Sequence, residues 1–138
     1  VTAGGDSRIL GDKKGRPWVM GIQHPRKQQE VVVALPLDNA AISTSGDYQR
    51  YFMKNGKRVH HILNPQTGKS AEKSWSATVI ADDALISDAL STTLFVLGAK
   101  KGLALINKLE GIDAIIIDAS GNMHYSSGLS APEQQSIN

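Results

Sequence analysis

The chain has 138 residues, 41% of them apolar and 20% charged, with a formal net charge of +2, which is ordinary for one globular domain with its own core. Aromatics are only 5% and the basic residues are scattered, which argues against a nucleic-acid surface, whose usual footprint is a dense basic stripe interleaved with aromatics. There is no cysteine, which excludes disulfides and thiolate metal sites, and no apolar run approaches the length of a membrane span.

Glycine and proline punctuate the chain into short elements. The opening VTAGGDSRILGD begins within a strand-and-turn pattern rather than on a Met, so a piece of a longer polypeptide is expected. Residues 8–10 read as a short strand and GDKKG, 11–15, as a turn. Residues 16–25 read as a strand with Trp18, Met20 and Ile22 on one face. The β-branched run 29–37 is a strand expected to stop at Pro36, and 40–46 is a short strand of small residues. Asn55-Gly56 then supplies the positive φ that a tight hairpin between 49–54 and 57–63 needs.

Residues 74–81 are again strand-like. Asp82 and Asp83 are N-cap candidates for a helix over 84–98, and 99–111 reads as a second helix with the same glycine stop. Residues 112–128 read as strand, Ser-Gly-Asn turn and strand, and 131–138 as a frayed polar tail. Strands, two helices and a closing hairpin predict an α+β fold, with a mainly antiparallel sheet and the helices packed on one side.

The first helix poses a chemical question. At about 100° per residue its surface is apolar nearly all round, so burial on more than one side is expected. Asp88 and Thr92 lie inside that surround, stacked at i and i+4. A carboxylate there needs compensation, either from a hard cation such as Mg²⁺, which both oxygens suit, or from a Lys or Arg.

Two small loops, AGGDS at 3–7 and STSGDY at 43–48, place glycine beside Asp and hydroxyl groups, a pattern that meets phosphate but is also plain turn chemistry. Tyr48 and Tyr51 could stack on a ring or fill the core. His60 and His61 end a strand and must point to opposite faces, so only one can serve a given site. Asn64-Pro65 stiffens the exit, and Thr67-Gly68 adds a hydroxyl and a flexible backbone.

Taken together, GGDSR, STSGDYQRYF, HHILNPQTG and SDALSTTLFVLG resemble, in order and spacing, the ApbE-type FAD:protein FMN transferases, once called thiamine-biosynthesis lipoproteins. The resemblance runs from about Gly4 to about Gly128. It implies an ApbE-like, T-fold-like half and a C-terminal portion of a catalytic domain over residues 1–130. The family's upstream DLG-x-x-x-KG segment, and the export signal and lipid-attachment cysteine of its periplasmic members, are not in this sequence.

The reaction implied is Mg²⁺-dependent transfer of FMN from FAD to a Ser or Thr hydroxyl of a target flavoprotein, with release of AMP. The alternatives are Mg²⁺-dependent cleavage of FAD to FMN and AMP by water, or a fragment that only holds FAD. By the same resemblance Asp88 and Thr92 are the metal-binding pair. Gly4, Gly5, Asp6, Ser45, Gly46, Tyr48, His61 and Thr67 fall on its nucleotide-binding positions, and His61 and Asp88 on the catalytic ones. Asn64 stands where many members carry Asp. Also implied are a redox-pump subunit or similar flavoprotein as acceptor and a periplasmic, lipid-anchored parent, while the composition already argues for no nucleic-acid partner. Self-association through an exposed sheet edge is a further expectation.

Overall fold

The computed structural model describes residues 1–129. In chain order the elements are β1 Thr2–Ala3, β2 Asp6–Arg8, β3 Trp18–Gln23, β4 Val31–Leu37, β5 Ala41–Gly46, β6 Tyr51–Lys54, β7 Lys57–His60 and β8 Ser74–Ala81. Helices α1 Ala84–Leu97 and α2 Ala99–Ile106 follow, then β9 Asp113–Asp118 and β10 Met123–Tyr125. The main sheet has the order β1-β2-β5-β8-β9-β10, while β3-β4 and β6-β7 form two-stranded sheets. Every neighbouring pair is antiparallel, so the α+β expectation holds.

Strand β9 explains the layering. Its run DAIIID is buried on both faces, and alternate residues serve different cores. Ala114 and Ile116 join Ala77 and Val79 of β8, Leu94 and Phe95 of α1 and Ile106 of α2. Ile115 faces the other way and packs on Ile22 and Val33, so the β3-β4 hairpin covers the sheet face that the helices leave. The helices therefore lie on one side, and a β-layer absent from the sequence reading lies on the other.

Local chemistry accounts for most boundaries. Asp83 caps α1 by accepting the Leu85 and Ile86 N–H groups at 2.8 and 3.1 Å. Gly98 ends α1 at φ 79° and starts α2 at once. Asn55 and Gly56 take φ 49° and 73° in the β6-β7 turn, as the dipeptide requires.

Three boundaries differ from expectation. The strand placed at 8–10 lies at Asp6–Arg8, because Gly4 and Gly5, at φ 64° and 103°, close a turn onto β1. Pro36 does not end its strand; it sits opposite Val19 in a two-stranded sheet, where every strand is an edge and a missing N–H is tolerated. Helix α2 stops at Ile106, after which Lys108 and Leu109 make tighter i to i−3 bonds. The tail 131–138 lies outside the described residues.

Candidate functional site

The site is assembled where β5 meets α1. Strand β5 presents Ser43 and Ser45 on its helix side, two residues apart, and α1 presents Ser87 and Ser91, four apart. Ser43 Oγ lies 2.7 Å from Ser87 Oγ, and Ser45 Oγ lies 2.8 Å from Ser91 Oγ and 3.0 Å from Thr92 Oγ1. These small side chains let the helix approach the sheet closely.

The protons in this chain can be ordered. Ser91 donates to the Asp88 carbonyl at 2.9 Å, so Ser45 donates to Ser91 and Thr92 donates to Ser45. A lone pair of Thr92 Oγ1 thus stays available while its position is fixed.

Burial overturns one expectation directly. Asp88 and Thr92 are exposed, not surrounded by hydrocarbon. The helix buries Ser87, Ser91, Leu94 and Phe95, while Leu85 is 77% and Ile86 46% exposed. Among the described residues helix α1 is therefore covered along one face only, and burial within them gives the carboxylate no need of a compensating charge. A cation site at Asp88 and Thr92 rests on donor chemistry alone. One carboxylate and one oriented hydroxyl, a helical turn apart, suit a hard cation whose remaining ligands are waters or phosphate oxygens. No cluster of three or more His, Cys, Asp or Glu side chains supplies an alternative centre among the described residues.

The other expected residues divide into two groups. The Gly4-Gly5 turn joins the site: Asp6 pairs with Ser43 in register, and a Cβ on Gly5 would lie 3.6 Å from the Gln49 amide. Gly46 is buried under the Tyr48 ring, and a Cβ there would overlap Cδ1 at 2.8 Å. Burial raises the Tyr48 phenol above its usual range, with the Asp47 carboxylate adding to the effect.

His61 is exposed and reaches this loop only through Nδ1, 3.4 Å from the Arg50 carbonyl. Thr67 is exposed and makes hydrogen bonds within its own turn, its Oγ1 accepting from Lys69 N–H at 3.3 Å. Among the described residues no hydrogen bond ties Thr67 to the Ser45–Thr92 cluster.

The paired histidines point to opposite faces, as strand geometry demands. His60 is the structural member: it is buried, its Nε2 lies 2.9 Å from the Ala71 carbonyl, and its ring meets Phe95 edge to face at 5.4 Å. Ser70 Oγ accepts the His60 N–H at 3.0 Å and donates to the His60 carbonyl at 2.8 Å. Together these bonds close the 61–69 turn at its base. His60 Nδ1 and Ser74 Oγ are buried without hydrogen-bond partners among the described residues, and both residues border one pocket of about 180 Å³.

Sequence reasoning missed a charged network beside Tyr48. The Arg26 guanidinium donates twice to the Asp47 carboxylate, both bonds at 2.6 Å, and Arg58 donates to it at 3.3 Å. Arg26 lies over Trp75 at 4.2 Å and Arg58 over Tyr51 at 4.1 Å. Arg26, Asp47 and Arg58 are distant in sequence, and no local pattern announces their meeting. The serine ladder also went unread, although its signal is local: Ser43 and Ser45 stand at strand spacing and Ser87 and Ser91 at helix spacing.

Comparison with known proteins completes the description. A model of the ApbE family matches residues 1–116. The FAD:protein FMN transferase of Klebsiella pneumoniae (strain 342) is 36% identical over 129 residues, 92% of this chain and 39% of that protein. That of Salmonella typhimurium (strain LT2) is 38% identical over 124 residues, covering 88% and 35%. Among solved structures, the ApbE protein from Thermotoga maritima superposes with a TM-score of 0.84 at 43% identity, covering 92% of this chain and 42% of that one. The flavinyl transferase ApbE from Pseudomonas stutzeri gives 0.70 at 38% identity, covering 91% and 40%. The chain thus spans about two fifths of the length of these relatives.

Proposed function

The chain belongs to the ApbE family, and on that footing we propose that it forms part of the catalytic domain of an enzyme that transfers FMN from FAD to a Ser or Thr hydroxyl of a flavoprotein. The acceptor oxygen attacks the FMN-side phosphorus, the pyrophosphate P–O bond breaks, and AMP leaves with the electron pair. The relatives named FAD:protein FMN transferase support the reaction class.

The observation that carries the reading is the Ser45–Thr92 hydrogen bond of 3.0 Å, which joins the STSGDY segment to the helix that bears Asp88. In this reading Asp88 and Thr92 hold a Mg²⁺ ion. Its chemistry, when bound, is neutralisation of the diphosphate charge that otherwise repels an incoming oxygen. The Gly4-Gly5-Asp6 turn, Ser45, Gly46, Tyr48 and Thr67 bind the nucleotide. His61, exposed beside this loop, orients the acceptor hydroxyl or takes its proton.

Three parts of the reading concern the parent molecule. We place it in the periplasm on a lipid anchor, supported by the motif resemblance and tested by fractionating cells that express the parent gene. Residues 1–130 belong to the C-terminal portion of its catalytic domain. Self-association would use β1 or β10, the outermost strands of the main sheet.

The deciding experiment incubates the full-length protein with FAD, Mg²⁺ and an acceptor flavoprotein, and follows AMP release and acceptor mass. Covalent FMN on the acceptor, lost in Asp88→Ala, supports transfer. AMP released at the same rate without acceptor assigns the activity to water instead, and undiminished transfer by Asp88→Ala refutes the metal role.

A further inference from the structure

Beside the proposed nucleotide site lies an open polar pocket of about 400 Å³. It is bounded by the loop after β3 and by the β6-β7 hairpin. His24, Arg26, Lys27 and Arg58 line it, with Tyr48 and Tyr51, and no carboxylate is among its lining residues. Tyr48 belongs to the STSGDY segment, whose Ser45 and Gly46 are placed at the nucleotide, so this pocket continues outward from the proposed site of reaction.

We propose that this pocket docks an acidic segment of the acceptor polypeptide, a refinement that rests on the transferase reading above. The charge state is the first argument. Arg26 and Arg58 share the single buried carboxylate of Asp47, so the triad keeps one net positive charge. Arg26 spends its fork on Asp47, but Arg58 spends one N–H at 3.3 Å, which leaves most of its five donors for a ligand. Stacking over Trp75 and Tyr51 holds both guanidinium planes in place before binding. Lys27, exposed and ion-paired with Glu30 at 3.3 Å, adds a rim charge.

The second argument selects peptide over diphosphate. Gln23, Gln28 and Gln49 also line the pocket. Side-chain amides both donate and accept, which matches alternating peptide N–H and C=O groups. A diphosphate would instead call for a nest of backbone N–H groups or a helix N-terminus, and no residue of α1 or α2, nor the Asp83 or Gly98 that precede them, lines this pocket. Moderate positive charge, amides and two phenol rings together describe a surface for carboxylates on an extended chain.

The test uses the full-length protein. Fluorescence anisotropy follows a labelled peptide of repeating Glu-Gly-Ser and its Gln-Gly-Ser counterpart. The Glu peptide should bind more tightly, and Lys27→Glu and Arg58→Gln should each weaken it by about tenfold, the scale expected when a pocket charge is reversed or removed. Both variants should raise the acceptor KM and leave kcat and FAD binding, read by flavin fluorescence, unchanged. Equal binding of the two peptides overturns the proposal. So does displacement of the Glu peptide by inorganic pyrophosphate beyond that caused by chloride at equal ionic strength, which would assign the pocket to phosphate. Absence of FMN transfer in the unmodified protein refutes the reaction reading, while the peptide comparison still decides the pocket.

Discussion

Replacing Gly46 with Ala tests the local geometry of the site most sharply. The position has no positive φ, so the backbone accepts alanine without strain. The cost comes from the Tyr48 ring, whose Cδ1 and Cζ atoms would lie 2.8 and 3.1 Å from the new methyl. Those separations are well inside van der Waals contact, so the ring must swing away. It can swing because Tyr48 lines the open pocket of about 400 Å³. A movable ring rather than fixed backbone puts the penalty at the low end for overpacking, about 1–2 kcal/mol. Urea unfolding would show this as a lower midpoint with unchanged slope. The displaced phenol should also titrate nearer its ordinary value, since burial is the main cause of its raised pKa; absorbance at 295 nm reads that change. The double variant Gly46→Ala/Tyr48→Ala should remove the clash, so the two single costs should fail to add. Strict additivity, with a Gly46→Ala penalty under about 0.5 kcal/mol, would refute the proposed packing of ring on glycine.

Three further outcomes are expected of the same molecule. Asp88→Asn should leave thermal stability within about 0.5 kcal/mol, because the side chain is exposed, while abolishing Mg²⁺-dependent transfer; a large stability loss would mean the carboxylate has a structural partner. Asp118 is held down to about 2, chiefly by its hydrogen bond with His124 and also by the N–H groups of Asn122 and Ser120, against burial, which acts upward. Its folded pKa lies below the unfolded value, so its stabilisation is present above about pH 4. Acid titration should erase it as pH falls from there toward 2, and Asp118→Asn should flatten that part of the stability profile. Gly98→Ala should destabilise by about 1–3 kcal/mol, because φ is 79° and the methyl would meet Lys73 Cβ at 3.0 Å; circular dichroism during thermal unfolding measures it.

The elements themselves were largely legible because their signals are local. An Asn-Gly turn, an Asp cap and a glycine stop each act within four residues, and each appears where the sequence places it. The β3-β4 layer was harder to place. Alternation finds a strand's apolar face but does not say which other surface that face covers, and here it is the far side of β9.

Asp88 shows the same limit more instructively. Helical periodicity describes α1 as apolar nearly all round, and the inference that its acid must be buried treats hydrophobicity as the force that picks the packed face. In the structure shape picks it. Ser87 and Ser91 meet Ser43 and Ser45 because small hydroxyl side chains permit close approach and satisfy each other, and Leu85 and Ile86 are left outside. That choice turns Asp88 and Thr92 outward while pinning Thr92 through Ser45. An exposed carboxylate beside a fixed hydroxyl pays little desolvation on meeting a cation but also attracts it weakly, since solvent screens the pair. Tight binding at such a place needs ligands beyond these two, from the phosphates of a substrate or from the part of the parent protein that this chain does not span. The exposure that removes the original reason for a metal therefore makes the proposed site dependent on what is brought to Asp88 and Thr92, and a nucleotide diphosphate is the ligand that a flavin-nucleotide transfer would bring.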